Sequence, residues 1–164
     1  MKKLRLLITE DCNRSCKGCC NKDWDLKSLP INKGYKGYKE IMLTGGEPML
    51  YPNLIIKICK EIREQTDCPI YLYTAKVEVL YDILEVMFNL SGICLTLHEQ
   101  KDVKPFIYFS NMLNQLGAKG SFRLNIFKGI NTYNVDLSAW KVRKDMVWMK
   151  NCPIPKDEVF KRYN

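Results

Sequence analysis

Strand-like and helical segments alternate along this 164-residue chain, which predicts an α/β fold: a partial (β/α)6 barrel with mostly parallel strands. Three observations carry the prediction. Six short runs are rich in Leu, Ile, Val, Tyr and Phe, at strand length. Stretches between them keep apolar residues at helical spacing. Six strands are too few to close an eight-stranded barrel, so the sheet stays open. The length suits one domain, residues 1–164, with a sizeable core.

The first predicted strand is Leu4–Thr9. It follows the basic start Met1-Lys2-Lys3 and is broken by Arg5. This apolar run is too short for a signal-peptide core, and no small-residue cleavage site follows it. No stretch approaches the length of a membrane span. The expectation is a cytoplasmic protein.

Asn21–Gly37 is a long polar connection where a first crossover helix would be expected. The second strand is Glu40–Thr44. Asn53–Gln65 then reads as a helix, with Leu54, Ile55, Ile58 and Ile62 on one face. Strand three is Pro69–Thr74, and Val79–Leu90 is the second helix. Strand four is Gly92–His98. The third helix is Val103–Leu116, with Pro105 confined to its first turn and Gly117 placed to end it. Strand five is Ser121–Lys128 and strand six is Asp145–Met149. Ile130–Val142 is poorly periodic; it and Asn21–Gly37 read either as lids or as irregular connections. No internal repeat or domain linker interrupts the pattern.

The formal net charge is +8, a bias toward acidic or phosphate-bearing partners, nucleic acid among them. Lys33–Lys39 interleaves basic and aromatic residues. Its sharp reading is a loop that stacks on a base and neutralises phosphate. The favoured reading is a flexible, solvated loop.

Eight cysteines are present, and four of them crowd into residues 12–20. Clustering of this kind, without an export signal, reads as metal binding rather than a disulfide framework. Cys12, Cys16 and Cys19 have the spacing Cys-x-x-x-Cys-x-x-Cys. A four-iron, four-sulfur cluster normally takes four thiolates, so this loop leaves one position open. A structural zinc site with Cys20 as fourth ligand is the competing reading. Cys20 is otherwise a neighbouring thiol or a bystander. Cys152, just beyond the sixth strand, is by default a buried structural cysteine, with a catalytic thiol as the alternative.

The second strand ends in Gly45-Gly46-Glu47-Pro48. Two glycines let a backbone pass close to a ligand. Glu47 places an acceptor-only carboxylate at the top of the sheet, suited to an ammonium group. Taken alone this stretch is a plain turn; beside the cysteine loop it is a ligand edge.

Together these two elements resemble the radical S-adenosylmethionine enzymes, which carry the cysteine loop after strand one and Gly-Gly-Glu-Pro after strand two. The resemblance implies that Cys12, Cys16 and Cys19 bind three irons of a 4Fe-4S cluster. The amino and carboxyl groups of S-adenosyl-L-methionine hold the fourth. Gly45, Gly46, Glu47 and Pro48 would hold the methionine end, with Glu47 taking the ammonium. The reaction implied is one-electron cleavage of the cofactor to a deoxyadenosyl radical, which takes hydrogen from a substrate. An external one-electron reductant is implied as well. The substrate is not in the sequence; the small size leaves room for a macromolecule or protein partner to close the pocket.

The family often has an aromatic residue before the third cysteine, and here it is Gly18. The stretch from Cys16 to Trp24 is similar to the activating enzymes of glycyl-radical proteins, the anaerobic ribonucleotide reductase type especially. Asn21 and Trp24 match that pattern, and Cys20 stands in an aromatic position. Leu97-His98-Glu99 lacks the Asp-Gly pair such activases tend to carry. The activase is therefore the alternative reading. A non-catalytic iron–sulfur or zinc module is the alternative of another class.

Strand alternation supplies the remaining candidates. Cys94, Thr96 and His98 oppose Ile93, Leu95 and Leu97, and Arg123 and Asn125 oppose Phe122, Leu124 and Ile126. The apolar sets should face helices and the polar sets the barrel interior. By the resemblance, Thr96, Arg123 and Asn125 contact the cofactor. Thr74, at the end of strand three, either lines the pocket or faces solvent. His98, the chain's one histidine, is the candidate catalytic group, since imidazole can exchange protons near neutral pH; the alternative is a hydrated rim residue.

Overall fold

The computed structural model describes residues 1–164 and contains one seven-stranded sheet, all parallel, with helices against it. The strands are β1 (Lys2–Thr9), β2 (Tyr38–Gly45), β3 (Ile70–Thr74), β4 (Gly92–Leu97), β5 (Ser121–Phe127), β6 (Lys141–Met146) and β7 (Glu158–Arg162). Their spatial order is β6-β5-β4-β3-β2-β1-β7. This is an open α/β sheet of the partial-barrel kind. Each step from β1 to β6 adds a neighbouring strand on the same side, and the return to β7 covers the opposite edge of β1.

Three α-helices span Pro52–Arg63 (α1), Leu80–Met87 (α2) and Val103–Gln115 (α3). In α1 the buried residues Ile55, Ile58, Cys59 and Ile62 follow the i, i+3, i+4, i+7 stripe of a helix packed on one side. Pro52 opens that helix, where its missing N–H costs nothing. A short 3-10 turn, Gln100–Asp102, precedes α3, and Pro105 lies within α3's first turn. Gly117 ends α3 at φ +58°, a left-handed conformation that glycine adopts without a Cβ penalty.

The core lies between these helices and one face of the sheet. Leu4, Leu6, Ile41, Leu43, Leu72 and Leu95 are fully buried there against helix residues such as Ile58, Phe106 and Phe109. Burying side chains of this size contributes about 1.5–3 kcal/mol each. Trp140 closes one end, its ring 5.2 Å from Phe106 and 5.6 Å from Phe122. Its indole N–H donates to Ser110 Oγ at 2.9 Å, satisfying the one polar atom it buries.

The structure corrects three expectations, those on the sixth strand, the strand count and Lys33–Lys39, and shows the two irregular connections as irregular. The sixth strand is Lys141–Met146, not Asp145–Met149; Val147–Met149 leaves the sheet. A seventh strand, Glu158–Arg162, was not expected at all. Lys33–Lys39 is not a solvated loop: Tyr35 is buried in the main core, its N–H bonded to Gln65 Oε1, and Tyr38 opens β2. Ile130–Val142 is irregular but anchored, because Trp140 plugs into the core. In place of a first crossover helix, residues 20–37 contain two 3-10 turns, Cys20–Lys22 and Leu26–Ser28. No helix is long and apolar enough to cross a membrane.

Candidate functional site

A cavity of about 330 Å³ opens at the carboxyl ends of the central strands. Ligand pockets run from about 300 to 1,000 Å³, so this one is at the small end. In an open parallel sheet that edge is where ligands bind, because the connecting loops converge there.

The cysteine loop forms one wall. Cys12, Cys16 and Cys19 all border the cavity, and all three thiols are free. The Cys19 amide donates to the Cys16 carbonyl, a turn that brings these two residues close. Burial, with the neighbouring Cys19 next, pushes the Cys16 thiol up from its ordinary value; the nearby Arg14 opposes this. No group of three His, Cys, Asp or Glu side chains converges closely enough to ligate an ion as the structure stands. The donor set nevertheless fits an iron–sulfur group: three unpaired thiols on a segment outside helix and strand, facing one cavity.

The opposite wall is the end of β2. Gly45 and Gly46 line the cavity, but their lack of side chains serves a contact within the protein. A Cβ on Gly45 would sit 2.3 Å from the Thr9 carbonyl oxygen, and one on Gly46 would sit 2.1 Å from that of Asp11. These glycines let the root of the cysteine loop dock against β2. Gly46 N–H donates to Thr9 O at 2.9 Å and Glu47 N–H to Asp11 O at 2.7 Å. The close approach expected with a ligand is thus made first with the chain itself.

Glu47 is 2% exposed. Its Oε1 accepts from the Thr74 hydroxyl and from Met49 N–H, and its Oε2 from Ala75 N–H at 2.9 Å. Burial raises its pKa above the ordinary value, while the Thr74 hydroxyl and the two amides pull it back. A carboxylate offers about four acceptor positions, so one remains for a ligand at the cavity. Thr74 is buried and reaches Glu47, so it lines the pocket as a support for that carboxylate. Pro48 starts the next 3-10 turn and does not line the cavity.

An ion pair that the sequence pattern did not reveal fixes the loop. Arg14 Nη1 donates to Asp102 Oδ2 at 3.0 Å and Nη2 to Oδ1 at 2.8 Å, a bidentate pair. Arg14 Nη2 also donates to Ala75 O at 3.0 Å. Asp102 Oδ2 further accepts from the His98 and Glu99 amides at 2.9 and 3.0 Å. Burial pushes the Asp102 carboxyl up, but the Arg14 hydrogen bonds and charge with these two amides outweigh it, and its pKa ends below the ordinary value. One arginine thereby ties the cysteine loop to the ends of β3 and β4. The only sequence signal was Glu99-x-x-Asp102, which forms a capping box ahead of α3. Asn21 adds a second tie, its side-chain amide donating to Gly45 O at 2.8 Å.

His98 lies just past β4 and lines the cavity. Its ring stacks on Trp148 at 5.2 Å with 3° between planes. Burial, then the Arg14 charge, lowers its pKa, so it is neutral at neutral pH. Trp148 also borders the cavity and occupies the space beside Gly18, where a Cβ would fall 2.3 Å from its own. The aromatic face absent from position 18 is thus supplied from the segment after β6.

Thr96 lines the cavity, but Arg123 and Asn125 lie outside it. They face the same side of the sheet as Thr96, Asn125 level with it on the next strand and Arg123 lower, level with Cys94. The Arg123 guanidinium rests 4.7 Å above the Tyr71 ring, and the Asn125 side-chain amide donates to Cys94 Sγ and Thr96 Oγ1. Both share the face of the cavity; Arg123 lies below it, and Asn125 lies beside Thr96, one strand farther out.

Cys20 and Cys152 are joined by a disulfide, with Cα atoms 5.4 Å apart. This pairing makes Cys20 neither a bystander nor a free ligand. A scan against protein-family models and a search of curated proteins gave no match to this chain.

Proposed function

We propose that this chain is a radical S-adenosylmethionine enzyme. The observation that carries the reading is that Cys12, Cys16 and Cys19 and the Gly45–Glu47 edge, found separately in the sequence, border one cavity at the carboxyl ends of β1 and β2. Cys12, Cys16 and Cys19 would hold the cluster, and Gly45, Gly46, Glu47 and Thr96 the cofactor. When bound, these groups supply one-electron cleavage of a sulfonium carbon–sulfur bond.

The protein's own part is positioning. Arg14 and Asp102 hold the cysteine loop against β3 and β4. Thr74, Met49 and Ala75 fix Glu47, so its remaining acceptor position would take a ligand ammonium without further ordering. Trp148 and His98 stack into an aromatic wall on one side of the cavity. Neutral His98 accepts rather than donates a proton at neutral pH.

A structural zinc module needs a fourth ligand, and the sequence offered Cys20. While Cys20 is bonded to Cys152 that thiol is not available as a ligand, which favours the open-site reading in the bonded state. The test is anaerobic reconstitution with iron and sulfide, followed by reductant and S-adenosylmethionine. Deoxyadenosine is expected from the wild type, and Cys16→Ala should lose both the brown cluster and the product. A cluster-loaded protein that never cleaves the cofactor would overturn the enzyme reading.

A further inference from the structure

We propose that Cys20 and Cys152 are a reversible thiol–disulfide exchange site whose partner is a dithiol, and that its redox state sets how tightly one wall of the cavity is held. Six of the eight cysteines are free, and only this pair is joined. A chain with that many free thiols belongs in a reducing setting, where a disulfide is a transient or sensing element rather than a framework.

The location gives the pair its consequence. Both cysteines border the same cavity as Cys12, Cys16 and Cys19. Both are partly exposed, and Asn151 and Pro153 beside Cys152 are exposed, so a reductant can reach the bond. The disulfide spans 132 residues of sequence and pins the 147–157 strap, which runs irregularly from β6 to β7. Between residues 147 and 154 that strap makes no backbone–backbone hydrogen bond to the rest of the chain. Its other holds are Trp24 Nε1 donating to Cys152 O at 2.8 Å, Cys152 N–H to Asp23 Oδ2 at 3.3 Å, Trp148 packed on Gly18, His98 and Phe127, and, at the strap's far end, Asp157 paired with Lys3 and Lys39. The bridge is the strap's one covalent tie to the cysteine loop. Cys20 is also next in sequence to Cys19, so a change at the bridge is felt at the candidate ligand.

The chemistry balances as ordinary exchange. A thiolate of the dithiol attacks one sulfur, the Cys20–Cys152 bond breaks, and a mixed disulfide forms. The second thiol of the reductant displaces it. The reductant gives up two electrons and two protons and becomes a disulfide, while Cys20 and Cys152 become two thiols. An oxidised small-molecule disulfide runs the reaction backwards.

The experiment uses the full metal-free chain, so it is independent of the cluster and of S-adenosylmethionine. Samples equilibrated with oxidised glutathione, or reduced with dithiothreitol, are compared by peptide mass spectrometry and hydrogen exchange. A Cys20–Cys152 cross-link is expected in the oxidised sample and two alkylatable thiols in the reduced one. Exchange at the residue-152 amide, the strap's bonded N–H, should quicken about tenfold on reduction, as a strap losing its tie opens more often. Alkylation of Cys16 and Cys19 should quicken with it. The double variant C20S/C152S should show the fast exchange with or without dithiothreitol. A different pairing in the oxidised sample, a bridge that dithiothreitol leaves intact, or strap exchange unmoved by reduction would each overturn the proposal.

Discussion

The two faces of the sheet are built by opposite rules. One face is covered by α1, α2 and α3, and its residues are apolar without exception along β4 and β5: Ile93, Leu95, Leu97, Phe122, Leu124 and Ile126. The other face carries no α-helix; Leu26 covers Leu7 and Phe160 at its β1–β7 end, and the rest mixes its chemistry: Arg5, Tyr71, Tyr73, Cys94, Thr96 and Arg123. Its cations are settled by individual partners, Arg5 by Glu158 Oε2 at 2.8 Å and Arg123 by the Tyr71 ring. The covered face holds the fold through area removed from water. The uncovered face and its carboxyl edge hold a site through directed bonds. The first is tolerant in detail and large in energy; the second is small in energy and intolerant of rearrangement.

That contrast can be broken by substitution, beginning with the covered face. Phe106→Ala should cost about 4 kcal/mol in urea denaturation, because a fully buried ring is removed beside Trp140. Arg14→Ala should cost about 3 kcal/mol by leaving Asp102 buried without its partner. Its signature is a pH dependence. The Asp102 pKa is lowered in the folded state, so its contribution is present above the ordinary carboxylate value and fades as pH falls through the folded value. The wild type should show that acid-side loss, and Arg14→Ala should show much less of it. If Arg14→Ala matched Phe106→Ala in cost with no change in pH profile, the edge would be part of the core in energetic terms.

Glu47→Ala is expected to cost about 2 kcal/mol, since it strands donors from Thr74, Met49 and Ala75. It should therefore weaken stability and, on the proposed function, S-adenosylmethionine binding, and isothermal titration beside thermal melting separates the two. Lys57→Ala removes an exposed i,i+4 pair with Glu61 on the outer side of α1. It should change stability by less than about 0.5 kcal/mol, which fixes the floor of the scale.

The covered face was legible in the sequence, and the edge was legible only in part. β1 to β5 and the three helices show themselves because burial on one side imposes a period of two or of 3.6. β6 does not. Lys141, Arg143, Lys144 and Asp145 are exposed, so no period survives, and the apolar Val147-Trp148-Met149 beyond it imitated a strand. β7 is five residues at an edge with only Phe160 buried, too little to stand out. At the site, Cys12, Cys16, Cys19 and Gly45–Pro48 are visible because local spacing defines them. Arg14 with Asp102, and Trp148 with Gly18, are contacts between distant loops, and such pairs leave no periodic trace. Arg123 and Asn125 share the face that alternation gives them, but alternation says nothing of which strand or level borders the cavity, and neither does.

The placement of β7 against β1 has a consequence for how this chain is made. Lys3 pairs with Glu158 and Leu7 with Arg162, so one flank of β1 must wait for some 150 further residues of translation. Until Glu158–Arg162 leaves the ribosome, β1 presents an unsatisfied row of N–H and C=O groups, with Leu7 beside them. Closing so distant a pair is slow, because the loop entropy must be overcome before any contact repays it. The nascent chain therefore spends its elongation with an open, sticky flank directly beneath the segment that carries Cys12, Cys16 and Cys19.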